Sequence, residues 1–152
     1  MAVLLPHINT RNVHHVDHVY PQALLSRKEL RASGFERDDV DRLQGLRDLL
    51  ANLQLLEMSV NISKSATVPA TWAASLYPTP DQYTAYLERN EIPWLPMSPD
   101  EFSGFFIDRR KALALRILRL FGVDAAPDNE NVSLPASVPE KIDDELAVTG
   151  DA

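Results

Sequence analysis

Helix-start signals constrain the fold of this 152-residue chain more than any other feature of its sequence. Segments of the form Ser/Thr-x-x-Glu/Gln begin at Ser26, Thr79 and Ser98. In such a capping box, the first and fourth side chains satisfy backbone N–H groups that the first helical turn leaves without partners. Three helices are therefore predicted: a short one that ends at Gly34, one at 80–90, and the longest at 99–121.

Strand signals are fewer and shorter. Residues 13–20 (VHHVDHVY) are rich in β-branched and aromatic side chains and stop at Pro21, which predicts a strand. The apolar run 49–57 (LLANLQLLE) is either a second strand or a continuation of the preceding helix, because periodicity alone does not decide. The remaining predictions are an amphipathic helix at 37–47, a turn at 61–65 and a helix after Pro69. Together they indicate an α+β domain.

Charge divides the chain into unequal parts. Residues 124–152 contain eight acids and one base, so this segment alone carries the net charge of −7. Its low hydrophobicity and acidic bias predict a disordered tail. Residues 1–12 are expected to be an irregular lead-in, and 13–123 to be the folded domain. Residues 1–123 hold 14 acids and 14 bases, so any contact with DNA needs a local basic patch.

Several classes of protein are excluded or disfavoured. The chain has no cysteine, which excludes disulfide frameworks, thiol nucleophiles and zinc sites with Cys ligands. No apolar run approaches the roughly 18 residues that span a bilayer. The N-terminal stretch is too short and lacks the basic residues of a secretory signal. We therefore expect no membrane association and a cytoplasmic location.

The adjacent pair Asp17 and His18 is the first candidate for chemistry. A carboxylate can hold a hard cation such as Mg²⁺, and an imidazole can accept a proton from water near neutral pH. The carbonyl oxygen of Asn61 could complete the set of oxygen ligands. A local hydrogen bond is the plainer explanation of an Asp-His pair. A zinc pair of His14 and His18 is disfavoured, because the segment's β-branching opposes the helix that it requires.

Longer motifs extend this pair into a family resemblance. The string 17–22 (DHVYPQ) resembles the opening motif of the HNH, or ββα-metal, nucleases. RNA-guided CRISPR nucleases have a similar opening and two later asparagines nine residues apart, as Asn52 and Asn61 are. The closer resemblance is to the C-terminal nuclease half of GmrSD-type restriction proteins, which target modified DNA. Its ordered motifs match 15–21 (HVDHVYP), 50–56 (LANLQLL), 61–65 (NISKS) and 69–72 (PATW).

The resemblance covers about residues 13–122 and implies a fold, an activity and a set of site residues. The fold would be a small ββα-metal core wrapped by several helices. The activity would be metal-dependent cleavage of DNA in defence against foreign or modified DNA, with Mg²⁺ or alternatively Mn²⁺ as cofactor. The implied residue roles are His18 as general base, Asp17 and Asn61 as metal ligands, Asn52 on the second strand holding the His18 loop, and Lys64 near the scissile phosphate or bracing the motif.

Two other interpretations stay open. GmrSD-type proteins normally carry a large nucleotide-dependent targeting domain before the nuclease, and nothing in this sequence resembles it. The chain is therefore expected to be the nuclease part alone, as a subunit that depends on a separate nucleotide-binding partner or as a remnant. The second interpretation is a non-catalytic nucleic-acid-binding or regulatory module.

The basic residues of the last predicted helix also have two interpretations. Arg109 and Arg110, with the bases that follow them, either form a stripe that contacts phosphates or a charged outer face. Lys64 is the third candidate for a nucleic-acid contact.

Overall fold

The computed structural model describes residues 13–123, which form an α+β fold of six α-helices and one two-stranded sheet. The elements, in chain order, are β1 (His14–His18), α1 (Arg27–Ala32), α2 (Arg37–Arg47), β2 (Leu53–Glu57), α3 (Met58–Lys64), α4 (Pro69–Leu76), α5 (Pro80–Arg89) and α6 (Phe102–Leu120). The predicted lead-in, 1–12, and the predicted acidic tail, 124–152, lie outside the described residues. Among the helices of residues 13–123, none combines the length and the apolar character that crossing a membrane requires.

The sheet joins two segments that lie far apart in the sequence. β1 and β2 are antiparallel, with Asp17 opposite Gln54 and His18 opposite Leu53. Because residues opposite each other in an antiparallel pair share a face, Asp17 and Gln54 lie on one face of the sheet. His18 and Leu53 lie on the other. β2 continues directly into α3, so the order of these elements is strand, strand, helix.

Aromatic side chains at the start of α6 form the centre of the core. Phe102, Phe105 and Phe106 are all fully or almost fully buried. The ring of Tyr20, two residues after β1, lies 5.5 Å from the ring of Phe102 between centroids. The longest helix therefore packs against the segment that follows Asp17 and His18, and burial of these rings fixes the end of β1.

The apolar side chains at helical spacing along α6 are buried in the first part of the helix only. Phe102, Phe106 and Leu113 are buried, whereas Leu120 is 46% exposed. The neighbouring Phe121 is 80% exposed, so the last turn of α6 extends past the core of the described fold. Helical spacing identifies a face but not how far along the helix the packing continues.

Two of the three predicted capping boxes form caps. The hydroxyl of Ser26 accepts a hydrogen bond from the backbone N–H of Glu29 at 3.3 Å and begins α1. Thr79 and Gln82 bond reciprocally to each other's backbone N–H groups, so α5 begins with the full motif. The prediction of these helix starts from local sequence is thus confirmed.

The third box works differently from the prediction. The side chain of Ser98 makes no capping bond, and a 3-10 turn over Pro99–Glu101 precedes α6, which begins at Phe102. The carboxylate of Glu101 instead accepts a hydrogen bond from the backbone N–H of Met97 at 2.7 Å. The acidic residue of the box, rather than its serine, therefore stabilises this helix entrance.

The predicted turn at 61–65 is wrong, because these residues belong largely to the helix α3. The helix has seven residues and ends at Lys64, and the next residue, Ser65, has a backbone φ of +47°. A helix of this length is unstable alone and leaves no clear periodic pattern, so its formation depends on contacts with the rest of the fold. The ambiguous run at 49–57 begins with a 3-10 turn (Leu50–Asn52) and continues as the strand β2.

Candidate active site

Asp17 and His18 are the last two residues of β1 and point to opposite faces of the sheet. Their side chains are 18% and 20% exposed, so both are largely covered yet reachable from solvent. The two groups therefore have different surroundings. Asp17 faces the polar interior between β2, α3 and α5, whereas His18 faces the end of α2.

The carboxylate of Asp17 belongs to a buried polar network. Its Oδ2 accepts hydrogen bonds from the ammonium of Lys64 at 2.7 Å and from the amide of Gln54 at 3.2 Å. Gln54 in turn accepts a hydrogen bond from the hydroxyl of Tyr86 at 3.0 Å. Among the described residues, no group donates a hydrogen bond to Oδ1 of Asp17. One carboxylate oxygen is thus held by the protein, and the other stays available to a ligand.

Lys64 connects this network to the backbone of the same strand end. Its side chain is 1% exposed, and its ammonium donates to the carboxylate of Asp17 and to the carbonyl oxygen of His18. The ring of Trp72 lies 5.9 Å from the ammonium nitrogen. Burial lowers the pKa of Lys64, while the hydrogen bond and the charge of Asp17 act in the opposite direction. Such a buried ammonium braces the strand end and is not accessible to a phosphate in this structure.

Asn52 fastens the segment after His18 to the start of β2. Its Oδ1 accepts a hydrogen bond from the backbone N–H of Tyr20 at 2.8 Å. Its Nδ2 donates to the carbonyl of Tyr20 at 3.1 Å and to the carbonyl of Arg47 at 2.8 Å. The residue lies one position before β2 instead of on it, and its carbonyl accepts from the N–H of Val19 at 2.7 Å. This fully buried amide therefore holds the backbone just beyond His18.

Asp48, which the sequence analysis did not single out, is the hydrogen-bond partner of His18. The Nε2 of His18 lies 2.9 Å from Oδ1 of Asp48. The same carboxylate accepts hydrogen bonds from Gln22 at 2.7 Å and from the guanidinium of Arg47, whose shortest contact is also 2.7 Å. The hydrogen bond from Arg47, with further bonds from Gln22 and His18, holds the pKa of Asp48 well below its ordinary value. Asp48 is thus a fixed negative charge beside the imidazole.

Asn61 lies on α3, one helical turn before Lys64, and is half-buried. Because residues three apart in a helix lie on the same side, Asn61 shares the side of α3 that carries Lys64. Within residues 13–123, its carboxamide makes no hydrogen bond. No group of three or more His, Asp or Glu side chains suited to a metal ion occurs in this part of the chain. A cation held here would therefore have few protein ligands and would keep several waters.

The proposed nucleic-acid contact of Arg109 is wrong, because this side chain is completely buried. Its guanidinium donates hydrogen bonds to the carbonyl of Ala51 at 3.1 Å and to the carbonyl of Asn90 at 3.3 Å. Burial lowers the pKa of Arg109 to about 10. Arg109 supports the backbone immediately before Asn52, which is a structural role. Arg110 is half-buried on the same helix, and its contact with nucleic acid stays a prediction.

Comparisons with known proteins give no independent assignment. No protein-family model matches the chain, and no curated protein is significantly similar to it.

Proposed function

We propose that the chain is a metal-dependent HNH-type endonuclease that hydrolyses DNA phosphodiester bonds, acting in the cytoplasm in defence against foreign or modified DNA. The strongest support is a set of hydrogen bonds between motifs that lie far apart in the sequence. Lys64 donates a hydrogen bond to Asp17, which is 47 residues away in the sequence, and Asn52 accepts one from the backbone of Tyr20, which is 32 residues away. These are the segments that carry the resemblance to HNH nucleases, so the motifs meet at one end of the sheet.

The local architecture also supports the proposal. β1, β2 and α3 occur in the order strand, strand and helix, with α1 and α2 inserted between the two strands, and this is the order that the ββα-metal name describes. Asp17 and His18 end the first strand, and Asn61 and Lys64 lie on the helix. Asn52 makes three side-chain hydrogen bonds that fix the backbone between these elements. A preorganised site of this kind reduces the reorganisation that catalysis requires.

His18 is the group that moves a proton in this proposal. A water molecule attacks the phosphorus atom, and one imidazole nitrogen of His18 accepts its proton. One P–O ester bond breaks, which leaves a phosphate monoester on one fragment and an alcohol on the other, after the departing oxygen takes a proton from solvent. His18 then returns its proton to solvent.

The oxygen donors at the site fit a hard divalent cation. Oδ1 of Asp17 and the carboxamide oxygen of Asn61 have no hydrogen-bond donor among the described residues, and both belong to the donor types that Mg²⁺ and Mn²⁺ prefer. Lys64 balances the charge of Asp17 and fixes the orientation of its carboxylate through Oδ2. When bound, the cation would polarise the phosphate and stabilise negative charge on the leaving oxygen.

A supercoiled-plasmid assay tests the proposed activity. Purified chain is incubated with plasmid in Mg²⁺, in Mn²⁺ or in EDTA, in parallel with a single-stranded RNA of matched mass. We expect nicked or linear DNA with either metal and none in EDTA, because the proposed reaction needs the cation. Cleavage that persists in EDTA, or cleavage of RNA without cleavage of DNA, would contradict the proposal.

A partner-dependent or non-catalytic subunit is the second candidate, and one observation favours it. Both groups that the reaction needs already have internal partners, because Asp17 pairs with Lys64 and His18 with Asp48. A protein that keeps the fold for DNA binding, or that awaits a separate nucleotide-binding targeting subunit, could retain these pairs. Absence of plasmid cleavage in every metal, together with an intact fold, would favour this candidate.

Metal binding can be tested at Asn61 without disturbing the network of Asp17. We expect Asn61→Ala to weaken Mn²⁺ binding by at least about 10-fold, because a cation with few protein ligands loses one of them. Asn61→Asp, which retains an oxygen donor and adds charge, should bind at least as tightly as the wild type. Calorimetric titration with Mn²⁺ measures both. Equal affinity of Asn61→Ala and wild type would remove Asn61 from the ligand set.

A further inference from the structure

The contact between His18 and Asp48 determines which imidazole nitrogen of His18 can accept a proton. A carboxylate that is ionised only accepts hydrogen bonds, so the 2.9 Å contact requires the hydrogen to be on Nε2 of His18. In a neutral imidazole with hydrogen on one nitrogen, the other nitrogen carries the free lone pair. The contact therefore leaves Nδ1 as the basic nitrogen of His18.

Asp48 is itself held in place from two sides. Gln22, four residues after His18, donates to its Oδ1, and Arg47 donates to both of its oxygens. Because Asn52 binds the carbonyl of Arg47, the segment that carries Asp48 is tied to the backbone after β1. The carboxylate thus has a defined position relative to the imidazole although its own side chain is 52% exposed.

We propose that Asp48 is a positioning residue for His18, holding Nε2 so that Nδ1 is the nitrogen that accepts the proton of water. The inference rests on the proposed nuclease function, since it concerns the proton transfer of that reaction. Asp48 does not touch the substrate or the cation in this proposal. It acts by fixing the ring orientation and the tautomer of His18, and the adjacent Arg47 and Gln22 keep it in place.

Nuclear magnetic resonance tests the tautomer directly. The chain is labelled with ¹⁵N at histidine and recorded at about pH 8.5, where an ordinary histidine is neutral. The His18 signals are assigned by their loss in His18→Ala. We expect the nitrogen shifts of wild-type His18 to show hydrogen on Nε2, and those of Asp48→Ala to show a mixture of both tautomers. Hydrogen on Nδ1 in the wild type, or an unchanged spectrum in Asp48→Ala, would overturn the proposal.

Cleavage kinetics provide the second readout. We expect Asp48→Ala to reduce kcat by about 10-fold, with KM for plasmid and Mn²⁺ affinity within about 2-fold of wild type. Asp48→Glu keeps a carboxylate that only accepts hydrogen bonds, so it should keep hydrogen on Nε2 and recover most of kcat. Asp48→Asn introduces an NH2 group that can donate to Nε2, so it should not recover kcat. Asp38→Ala, which removes an exposed acid from the first turn of α2, is the matched control and should leave kcat unchanged.

The two proposals fail in different ways. If wild-type chain cleaves plasmid but Asp48→Ala cleaves equally well, Asp48 has no positioning role and the nuclease function stands. A change in KM or in Mn²⁺ affinity without a change in kcat would likewise exclude positioning. If the wild type fails to cleave in any metal, the nuclease proposal falls, and the role of Asp48 in proton transfer falls with it, whatever tautomer His18 shows.

Discussion

Cleavage of supercoiled plasmid by His18→Ala is expected to be about 10²–10⁴ times slower than cleavage by the wild-type chain, which is the usual contribution of a positioned general base. The expected loss is in kcat, since the imidazole accepts a proton during the reaction and does not hold the DNA. The side chain is partly exposed, and its hydrogen bond to Asp48 is the one polar contact of the ring given by the described residues. The fold should therefore survive, with a loss of about 1 kcal/mol or less in the free energy of unfolding.

His15→Ala is the matched control for this loss. His15 lies on the same strand and is exposed, so its replacement removes an imidazole of the same chemistry from outside the proposed site. We expect His15→Ala to cleave at close to the wild-type rate, and circular dichroism of both variants to match the wild type. Comparable cleavage by His18→Ala and His15→Ala would reject His18 as the base.

Asn52→Ala is expected to lower the free energy of unfolding by about 3 kcal/mol. The substitution leaves the backbone N–H and carbonyl of Tyr20 and the carbonyl of Arg47 without the partner that Asn52 supplies. Each such buried group that loses its partner costs about 1–3 kcal/mol, and some relaxation toward water will reduce the sum. Urea unfolding followed by circular dichroism measures the change.

The control for Asn52 is Asn61→Ala, which removes the same chemical group from a residue whose carboxamide makes no hydrogen bond in residues 13–123. We expect Asn61→Ala to change the free energy of unfolding by about 0.5 kcal/mol or less, as is usual away from the core. A loss below about 1 kcal/mol for Asn52→Ala would show that water replaces the amide, and that Asn52 does not brace the end of β1 in the manner described above.

The helices that sequence predicts well are those with a local start signal. Ser26 and Thr79 each bond to a group three residues away, so the information lies within a single turn. α3 has no such signal. Its seven residues depend on Lys64 reaching Asp17, a contact between positions that no local pattern relates. The sequence therefore predicts α+β character and several helices, but it misassigns the helix that carries Asn61 and Lys64.

Sequence likewise identifies the site residues that belong to a motif and misses those that only the fold brings to the site. Asp17, His18, Asn52 and Lys64 can be picked out because they belong to ordered motifs. Asp48 cannot, since it contacts His18 across 30 positions and stands in no motif. For Arg109 the sequence suggests a site residue where the structure has none. In a helix with many charges, the sequence does not distinguish a buried arginine from an exposed one, and the fold buries Arg109 completely.

The long connection between β1 and β2 governs how the chain reaches this fold. The 34 residues 19–52 separate the two strands, and closing a flexible loop of that length costs about 3 kcal/mol of chain entropy. A tight hairpin would avoid most of that cost. The α1–α2 pair, linked by an ion pair between Arg27 and Asp41 at 2.5 Å, shortens the effective span once it has formed. The rate at which the two strands meet therefore depends on a pair of helices that belongs to neither strand. The second helix of this pair, α2, ends at Arg47, immediately before Asp48.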